Sequence, residues 1–554
     1  MQILYNARIY TLDLENPVVS ALAIDHGRII ATGTDSQILA EFEGRGDAFN
    51  LGRRVCIPGL IDAHIHLQHY ALSLQKVNCE TTSQKECLER VQERAQTTPP
   101  GEWILGHGWN QNDWSKGFGS AAELDAVAPH HPVYLTAKSL HAGWGNSEAL
   151  RRAGITASTP DPEGGRIQRD AREDPTGILF ESAMSLVGDI LPHPSIAQIA
   201  GAIAAAQEQL WRMGLTGVHD FDRQDCFRAL QVLHQNGELG IRVTKSLPLD
   251  ALPQVADVGL RSGFGDDFLR LGSIKAFADG ALGPRTAAML QPYVGEPENY
   301  GIAMFDAEEL YEYGRQAVAN GLSLAVHAIG DRANHEVLEA YQQIRNYERE
   351  QRGRTKASGT PRLPELRHRI EHVQIIHPDD APRLAALGII ASMQPVHATS
   401  DYLAADRYWG QRAANSYAWR TLLNYRTHLA FGSDAPVESP NPFLGLHAAV
   451  TRQRQDGSPG PVGWYPEQRL SLQEALHGYT QGAAYAAGME GSLGKLVPGY
   501  LADLLILNTD IFNCKPGDLP EIKPLATMVA GEWKFSDLDL SGSDASGARP
   551  PLEP

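Results

Sequence analysis

The sequence predicts a (β/α)8 barrel whose two chain ends meet in a small β domain, and three observations support this prediction. Eight apolar runs of strand length lie between Pro58 and Gly491, and helical stretches often follow them, which is the pattern of parallel βα units. Eight strands close such a barrel. Short strand-like runs with turns occupy both chain ends, and because isolated hairpins are marginally stable, we expect the two ends to form one domain. The eight runs are GLIDAHIHL, LTGVHDF from Leu215, GIRVTKSL from Gly240, GSIKAFAD from Gly272, LSLAVHAIGD from Leu322, RHRIEHVQI from Arg367, IIASMQPV from Ile389 and LAFGSDAPV from Leu429.

The domain boundaries follow from these runs. Residues 1–56 and 491–535 are predicted to form the composite β domain, and residues 57–490 the barrel. The stretch between the first and second runs is too long for one crossover, so we expect an inserted subdomain at about 80–205, near the active-site mouth. The polar tail 536–554 is predicted to be disordered.

Composition excludes several classes of protein. The chain has 48 Lys and Arg against 66 Asp and Glu, a net charge of -18, whereas a nucleic-acid groove needs concentrated positive charge. No signal peptide and no apolar run of membrane-helix length is visible, so we expect a cytoplasmic protein with neither a nucleic-acid nor a membrane partner. Five dispersed cysteines without a C-x-x-C pair indicate reduced thiols. A homodimer is the default expectation.

The first run carries histidines at alternate positions. In PGLIDAHIHL, His64 and His66 share one face of the predicted strand with Leu60 and Asp62, because successive side chains point to opposite faces. A strand covered by helices on its outer side would present both imidazoles to the barrel interior as a metal-binding pair. By itself, H-x-H fits two partly solvated histidines on an edge strand equally well, so further ligands are needed to decide.

Metal-binding residue types recur at the ends of other runs. Lys275 lies in the fourth run, His327 ends the fifth, His372 ends the sixth and Asp434 ends the eighth, and barrels collect their active-site residues at the carboxyl ends of strands. Each histidine taken singly is more typical of a core position, and Asp434 also fits a turn cap. Since several coincidences would have to be accidental, the set predicts a metal site. His219, which ends the second run, is interpreted as a neutral barrel residue.

Lys275 requires a separate argument because an ammonium has no lone pair and repels a cation. Its ordinary pKa is about 10.4, so metal binding requires a large depression of that pKa. Reaction of the neutral amine with carbon dioxide gives a carbamate, an anionic oxygen ligand able to bridge two metal ions. The alternative is that Lys275 forms an ion pair with Asp279 or with a substrate carboxylate.

Five motifs occur in order along the chain: PGLIDAHIH, KAFADGALGPRTAAML, AVHAIGDRAN, RIEHVQ and FGSDAPVESPNP. Together they resemble the metal-dependent amidohydrolase superfamily, and specifically the amidohydrolase family 3 branch that includes the N-substituted formamide deformylases. The likeness extends over about residues 1–535. It implies a distorted (β/α)8 TIM barrel with a small β-sandwich built from both chain ends.

The resemblance also implies a role for each ligand. His64 and His66 would hold the more buried metal ion, and His327 and His372 the more exposed one. A carboxylated Lys275 would bridge the two ions.

The resemblance implies that Asp434 binds metal and is the catalytic proton shuttle. One departure from the family pattern is Pro284, which restricts the conformation of Gly283 and therefore the loop that positions Arg285. Asn146 also fits the cap of a helix starting at Ser147, and Glu181 fits a packing or ion-pair role. The resemblance implies His141, Asn146, Glu181 and Arg285 as substrate-binding candidates, and Asp279 is a further candidate.

These residues predict a metal-dependent hydrolase that cleaves a non-peptide C–N bond of a small organic molecule, an amide, N-formyl or N-acyl bond, by metal-activated hydroxide. Zn²⁺ is the expected ion, one or two per chain, and manganese, iron or cobalt would fit the same ligands. The alternatives are cleavage of a carbamate, cyclic imide or ester, deamination of a heterocycle, or a non-catalytic regulatory or ligand-binding relative.

Overall fold

A computed structural model describes residues 1–111, 114–115, 117–137, 142–358 and 365–539, with only the helical backbone for 352–358. The described residues form two compact units. One contains Met1–Tyr70 and the described residues from Ile203 onward, and the other contains the described residues of Ala71–Ala202.

Strands occur throughout both units. Those before the insertion are β1 (Gln2–Tyr5), β2 (Arg8–Tyr10), β3 (Val18–Val19), β4 (Ala21–Asp25), β5 (Arg28–Gly33), β6 (Asp47–Asn50), β7 (Val55–Pro58) and β8 (Leu60–Ile65). Those of the insertion are β9 (Val77–Asn78), β10 (Ile104–Trp109), β11 (Val133–Ala137), β12 (Ala142–Gly145), β13 (Gly165–Arg169) and β14 (Pro175–Glu181). The later strands are β15 (Leu215–Asp220), β16 (Arg242–Pro248), β17 (Leu269–Phe277), β18 (Ser323–Ala328), β19 (Arg369–His372), β20 (Ile390–Met393), β21 (Leu429–Phe431), β22 (Leu504–Leu507), β23 (Pro524–Val529) and β24 (Glu532–Ser536).

Helices connect these strands. In the first half of the chain they are α1 (Asp35–Phe42), α2 (Leu67–Ser73), α3 (Gln84–Thr97), α4 (Ala121–Val127), α5 (Ser147–Arg152), α6 (Ser185–Gly188), α7 (Ile196–Arg212), α8 (Gln224–Gln235) and α9 (Leu252–Asp257). In the second half they are α10 (Ala307–Ala319), α11 (Asp331–Ser358), α12 (Ala381–Leu387), α13 (Pro395–Trp409), α14 (Trp419–Asn424), α15 (Pro442–Thr451), α16 (Leu472–His477) and α17 (Ala483–Ala486). None of the helices described here is both long and apolar enough to cross a membrane.

The predicted barrel is confirmed. Its sheet has the order β8-β15-β16-β17-β18-β19-β20-β21, with parallel pairing between neighbours, and each of the eight apolar runs supplies one strand. Their residues are nearly all buried, because helices cover the outer face of a parallel barrel while side chains fill its interior.

The first and eighth strands meet where the chain reaches the barrel mouth. Asp62 on β8 accepts hydrogen bonds from the Ser433 backbone N–H at 3.0 Å and from the Ser433 hydroxyl at 2.5 Å. The Asp434 N–H donates to the His64 carbonyl at 2.7 Å. A Cβ at Gly432 would collide with the His64 nitrogen and with the Asp62 carboxylate. This close approach requires glycine, and it brings the chain after strand eight against strand one.

Both chain ends contribute strands to one sheet, with the order β24-β23-β22-β7-β2-β3. Strand β22 pairs antiparallel with β7, Leu504 opposite Pro58. A second sheet, β5-β4-β1-β6, consists of N-terminal strands. The apolar residues between them include Leu4, Ile9, Leu22, Cys56, Leu504, Ile506 and Met528.

The insertion has a core of its own. Its six-stranded sheet has the order β13-β14-β12-β11-β10-β9. Trp109, Trp114 and Trp144 are buried, with ring centroids 5.8–6.3 Å apart. These indoles pack against each other and against apolar residues of the unit, which is the ordinary use of large aromatic side chains in a small core.

A buried ion pair joins the barrel to the β domain. On β16, Arg242 donates to both carboxylate oxygens of Asp503 at 2.6 and 2.8 Å. Both side chains are 5% exposed. Asp503 also accepts the Ala530 N–H at 2.8 Å.

Replacing Asp503 with Ala leaves the Arg242 guanidinium buried without its counter-charge, and we expect the free energy of unfolding to fall by about 3–5 kcal/mol. The double variant Arg242→Met/Asp503→Ala should lose less than the single variant, since no unpaired charge stays behind. Chemical denaturation of the three proteins measures this, and equal losses in both variants would contradict it.

Candidate metal centre

Strand β8 and the residue just beyond it supply two imidazoles. The His64 Nδ1 lies 2.6 Å from Glu371 Oε2, and the His66 Nδ1 lies 3.0 Å from Asp222 Oδ1. An ionised carboxylate only accepts hydrogen bonds, so each Nδ1 carries the proton and each Nε2 carries a free lone pair. Both Nε2 atoms lie 3.5 Å from Asp434 Oδ1.

The fifth and sixth strands supply two more imidazoles. On β18, His327 Nε2 donates to the Gly280 carbonyl at 3.0 Å, and on β19, His372 Nδ1 lies 2.8 Å from Gln394 Oε1. The His372 ring centroid lies 4.6 Å from that of His327 and 4.9 Å from that of His64. In each of these imidazoles, one ring nitrogen has an oxygen partner.

Burial favours the neutral form of His64, His327 and His372. Burial is the largest cause that lowers the pKa of His64 and of His372 well below the usual value, and it lowers the pKa of His327 to about 3. The positive charge of Lys275 acts in the same direction. Neutral imidazole is the form that binds a metal ion.

Lys275 points into the same space from β17. Its side chain is buried, and its Nζ has no hydrogen-bond partner among the described residues. The Nζ lies 4.8 and 4.9 Å from the ring centroids of Phe221 and Phe277, and burial lowers the pKa of Lys275 to about 8. A buried amine that has lost water and gained no acceptor fits a further covalent or ligand bond.

Asp434 faces this cluster from beyond β21. Its Oδ1 lies 3.5 Å from two imidazole nitrogens and its Oδ2 lies 3.9 Å from His397 Nε2. Burial raises the pKa of Asp434. Asp434 and His372 both have positive φ, at 62° and 78°, a conformation that costs free energy and is found where the surrounding structure holds a functional residue in place.

The residues present fit a divalent metal ion. Histidine nitrogens and carboxylate oxygen are suitable ligands for zinc and neighbouring metals, and ligating histidines characteristically donate their second N–H to an oxygen acceptor. The atoms of His64, His372 and Asp434 that could bind a metal lie within 4.8 Å of one another.

The alternative ion pair of Lys275 with Asp279 is not formed. Asp279 accepts three backbone N–H bonds at 2.8–2.9 Å, from Ala288, Ile329 and Gly330. Its Oδ1 lies 3.6 Å from His327 Nε2. Asp279 therefore holds together the loops after strands β17 and β18, next to a predicted ligand.

The other substrate-side candidates are placed as follows. Arg285 adopts φ 59° and forms an ion pair with Glu296. In the inserted unit, Asn146 caps α5 by accepting the Ala149 N–H at 2.9 Å, and Glu181 is exposed at the end of β14. His141 lies outside the described residues.

Sequence reasoning missed the acceptors behind the ligands and one histidine. Glu371, Asp222 and Gln394 were not identified as candidates, and neither was His397, whose Nε2 is buried without a hydrogen-bond partner in the described chain. His397 lies on α13, one residue beyond the seventh apolar run. The sequence signal that could have identified His397 is its position directly after a predicted strand, like the other candidate residues. His219 accepts from Arg369 at 2.9 Å, and burial lowers its pKa to about 3.

Comparisons with known proteins indicate the family of the chain. The model of the amidohydrolase family matches residues 47–533. The protein LONG AFTER FAR-RED 3 of Arabidopsis thaliana is 34% identical over 548 residues, covering 96% of this chain and 91% of the relative. The N-substituted formamide deformylase of Arthrobacter pascens is 28% identical over 551 residues, with coverage of 96% and 97%. The crystal structure of an uncharacterized metal-dependent hydrolase from Pyrococcus furiosus is 28% identical, with a TM-score of 0.75 and coverage of 92% and 100%.

Replacing Asp222 with Asn tests the hydrogen bond behind His66. The amide is a weaker acceptor and no longer fixes the Nδ1–H form of the ring, so we expect metal affinity to fall about 10- to 100-fold. Chelator competition followed by metal analysis measures this. Asp225→Asn, on the exposed side of α8, is the matched control, and equal affinity in the two variants would contradict the role of Asp222.

Proposed function

The chain belongs to the amidohydrolase family, and we propose that it hydrolyses a non-peptide C–N bond of a small organic molecule, an amide, N-formyl or N-acyl bond. Family membership and the likeness to a metal-dependent hydrolase make it a hydrolase that uses a divalent metal. The observation that carries the finer proposal is the position of Asp434, whose carboxylate faces the free nitrogens of His64 and His66.

In the proposed reaction, the histidines bind the metal and Asp434 transfers the proton. A divalent ion, for which we propose Zn²⁺, lowers the pKa of a water molecule and polarises the scissile carbonyl when it is bound. His64 and His66 would hold this ion, and His327 and His372 would hold the second where two are bound. Asp434 accepts the proton of the attacking water at its carboxylate and passes it to the departing nitrogen.

We further propose that Lys275 is carboxylated and completes the ligand set. The neutral amine attacks carbon dioxide, a C–N bond forms, and one proton is released to solvent as the carbamate anion appears. The unpartnered Nζ, its burial and its lowered pKa support this step. The carbamate supplies oxygen ligands and offsets positive charge in the interior.

Asp434→Asn keeps the shape of the side chain but removes its capacity to accept a proton. We expect turnover to fall by at least about 10²- to 10⁴-fold while bound metal is largely retained. The assay uses a panel of N-formyl, N-acyl and carbamate derivatives of aromatic amines with metal-loaded protein. Asp379→Asn, 92% exposed, is the control. A fully active Asp434→Asn protein would refute the proton-transfer role, and a wild-type protein inactive on every amide of the panel would refute the C–N proposal.

Lys275→Ala removes the site of carboxylation, so we expect metal content to fall to one ion or fewer. Short carboxylic acids such as acetate and propionate should partly restore metal content and rate, because they supply the missing oxygen ligands. Lys523→Ala, at an exposed position, should leave both unchanged. Full metal and full rate in Lys275→Ala without added acid would show that the carbamate is not needed.

A further inference from the structure

Arg369 occupies the interior of the barrel beneath the metal centre. It is the first residue of β19, its side chain is 3% exposed, and its guanidinium reaches three other strands. Nη1 donates to His219 Nδ1 at 2.9 Å, and Nη2 donates to the Ala63 carbonyl at 2.6 Å and to Ser392 Oγ at 2.5 Å. These partners lie on β15, β8 and β20.

The guanidinium also binds both oxygens of one carboxylate. Arg369 Nε donates to Glu371 Oε1 at 2.5 Å, and Nη2 donates to Glu371 Oε2 at 3.0 Å. The same Oε2 lies 2.6 Å from His64 Nδ1. A short chain of hydrogen bonds therefore runs from the barrel interior to a predicted metal ligand, all of it within buried side chains.

We propose that Arg369 is a positioning residue of the metal centre and acts through Glu371 on the orientation of His64. This inference depends on the proposed function, since it concerns the same metal site.

The physical reason is the geometry of the guanidinium fork. The terminal torsion of a glutamate side chain is soft, so a carboxylate held at one oxygen is free to rotate. A planar guanidinium that binds both oxygens fixes the carboxylate plane, whereas an ammonium in its place binds as a point charge. With Glu371 Oε2 held towards Nδ1, the His64 ring keeps its proton there and its free Nε2 towards Asp434.

A purely structural role for Arg369 predicts different behaviour. The guanidinium ties together strands β8, β15 and β20, so its removal destabilises the barrel in either case. Only a positioning role changes how tightly, and in what geometry, the metal is held.

The test compares Arg369→Lys, Glu371→Gln and the double variant in the full chain. We expect each single variant to raise the dissociation constant for Zn²⁺ about 10- to 100-fold. The visible spectrum of the Co²⁺-loaded protein should change in both, because the ligand geometry changes. Since Arg369 acts through Glu371, the double variant should bind Zn²⁺ as Glu371→Gln does, within about twofold, rather than multiply the two effects.

Arg242→Lys is the matched control, because Arg242 also forms a buried bidentate ion pair, with the carboxylate of Asp503. It should lower the unfolding temperature but leave the Zn²⁺ dissociation constant and the Co²⁺ spectrum unchanged. If Arg369→Lys behaves like Arg242→Lys, or if the Arg369 and Glu371 effects multiply, the positioning role is refuted.

Ser392→Ala is a milder second variant in case Arg369→Lys does not fold. It removes one acceptor of Arg369 Nη2 and a hydrogen bond to the Glu371 carboxylate, so we expect a several-fold weaker Zn²⁺ affinity. An unchanged affinity counts against the proposal. These readouts need no substrate, so the positioning role stands or falls separately from the identity of the scissile bond. A wild-type chain that fails to bind Zn²⁺ or Co²⁺ would refute both.

Discussion

The hydrogen bonds between Asp62 and Ser433 are the interactions on which the metal centre depends. They join the first and eighth strands, which are far apart in the chain, and they fix the place where Asp434 leaves the barrel. Gly432 makes the approach possible because any Cβ there would meet the His64 backbone. Without this closure, the carboxylate of Asp434 and the imidazoles of His64 and His66 would belong to separate edges of an open sheet.

Low dielectric surroundings then determine the chemistry of the enclosed groups. Burial opposes the charged form of the His64, His327 and His372 imidazoles and of the Lys275 amine, so it lowers the pKa of each of these groups. The Phe221 ring stacks on His64 at 4.1 Å and lies 4.8 Å from the Lys275 amine. A space lined by imidazole lone pairs and a carboxylate favours a bound cation.

The hydrogen-bond acceptors behind the histidines fix the orientation of the imidazole rings. Glu371, Asp222 and Gln394 each hold one ring nitrogen, and burial of Glu371 is offset by the charge of Arg369, which keeps the pKa of that carboxyl below its usual value. The positive φ angles of His372 and Asp434 add backbone strain at the same place. This backbone strain costs free energy. The rest of the fold is stable enough to tolerate it, and a predicted ligand is held in one orientation as a result.

The sequence by itself determined the eight strands, their order along the chain and the face on which His64 and His66 lie, because strand periodicity and apolar runs are local properties. It also indicated that the ligands meet at one edge, since parallel strands end together. Only the tertiary structure decided that Asp279 binds backbone N–H groups rather than Lys275. It also decided that Glu371, Asp222, Gln394 and His397 surround the predicted ligands. Those pairings depend on ångström distances between side chains from different strands, and no local pattern in the chain encodes such distances.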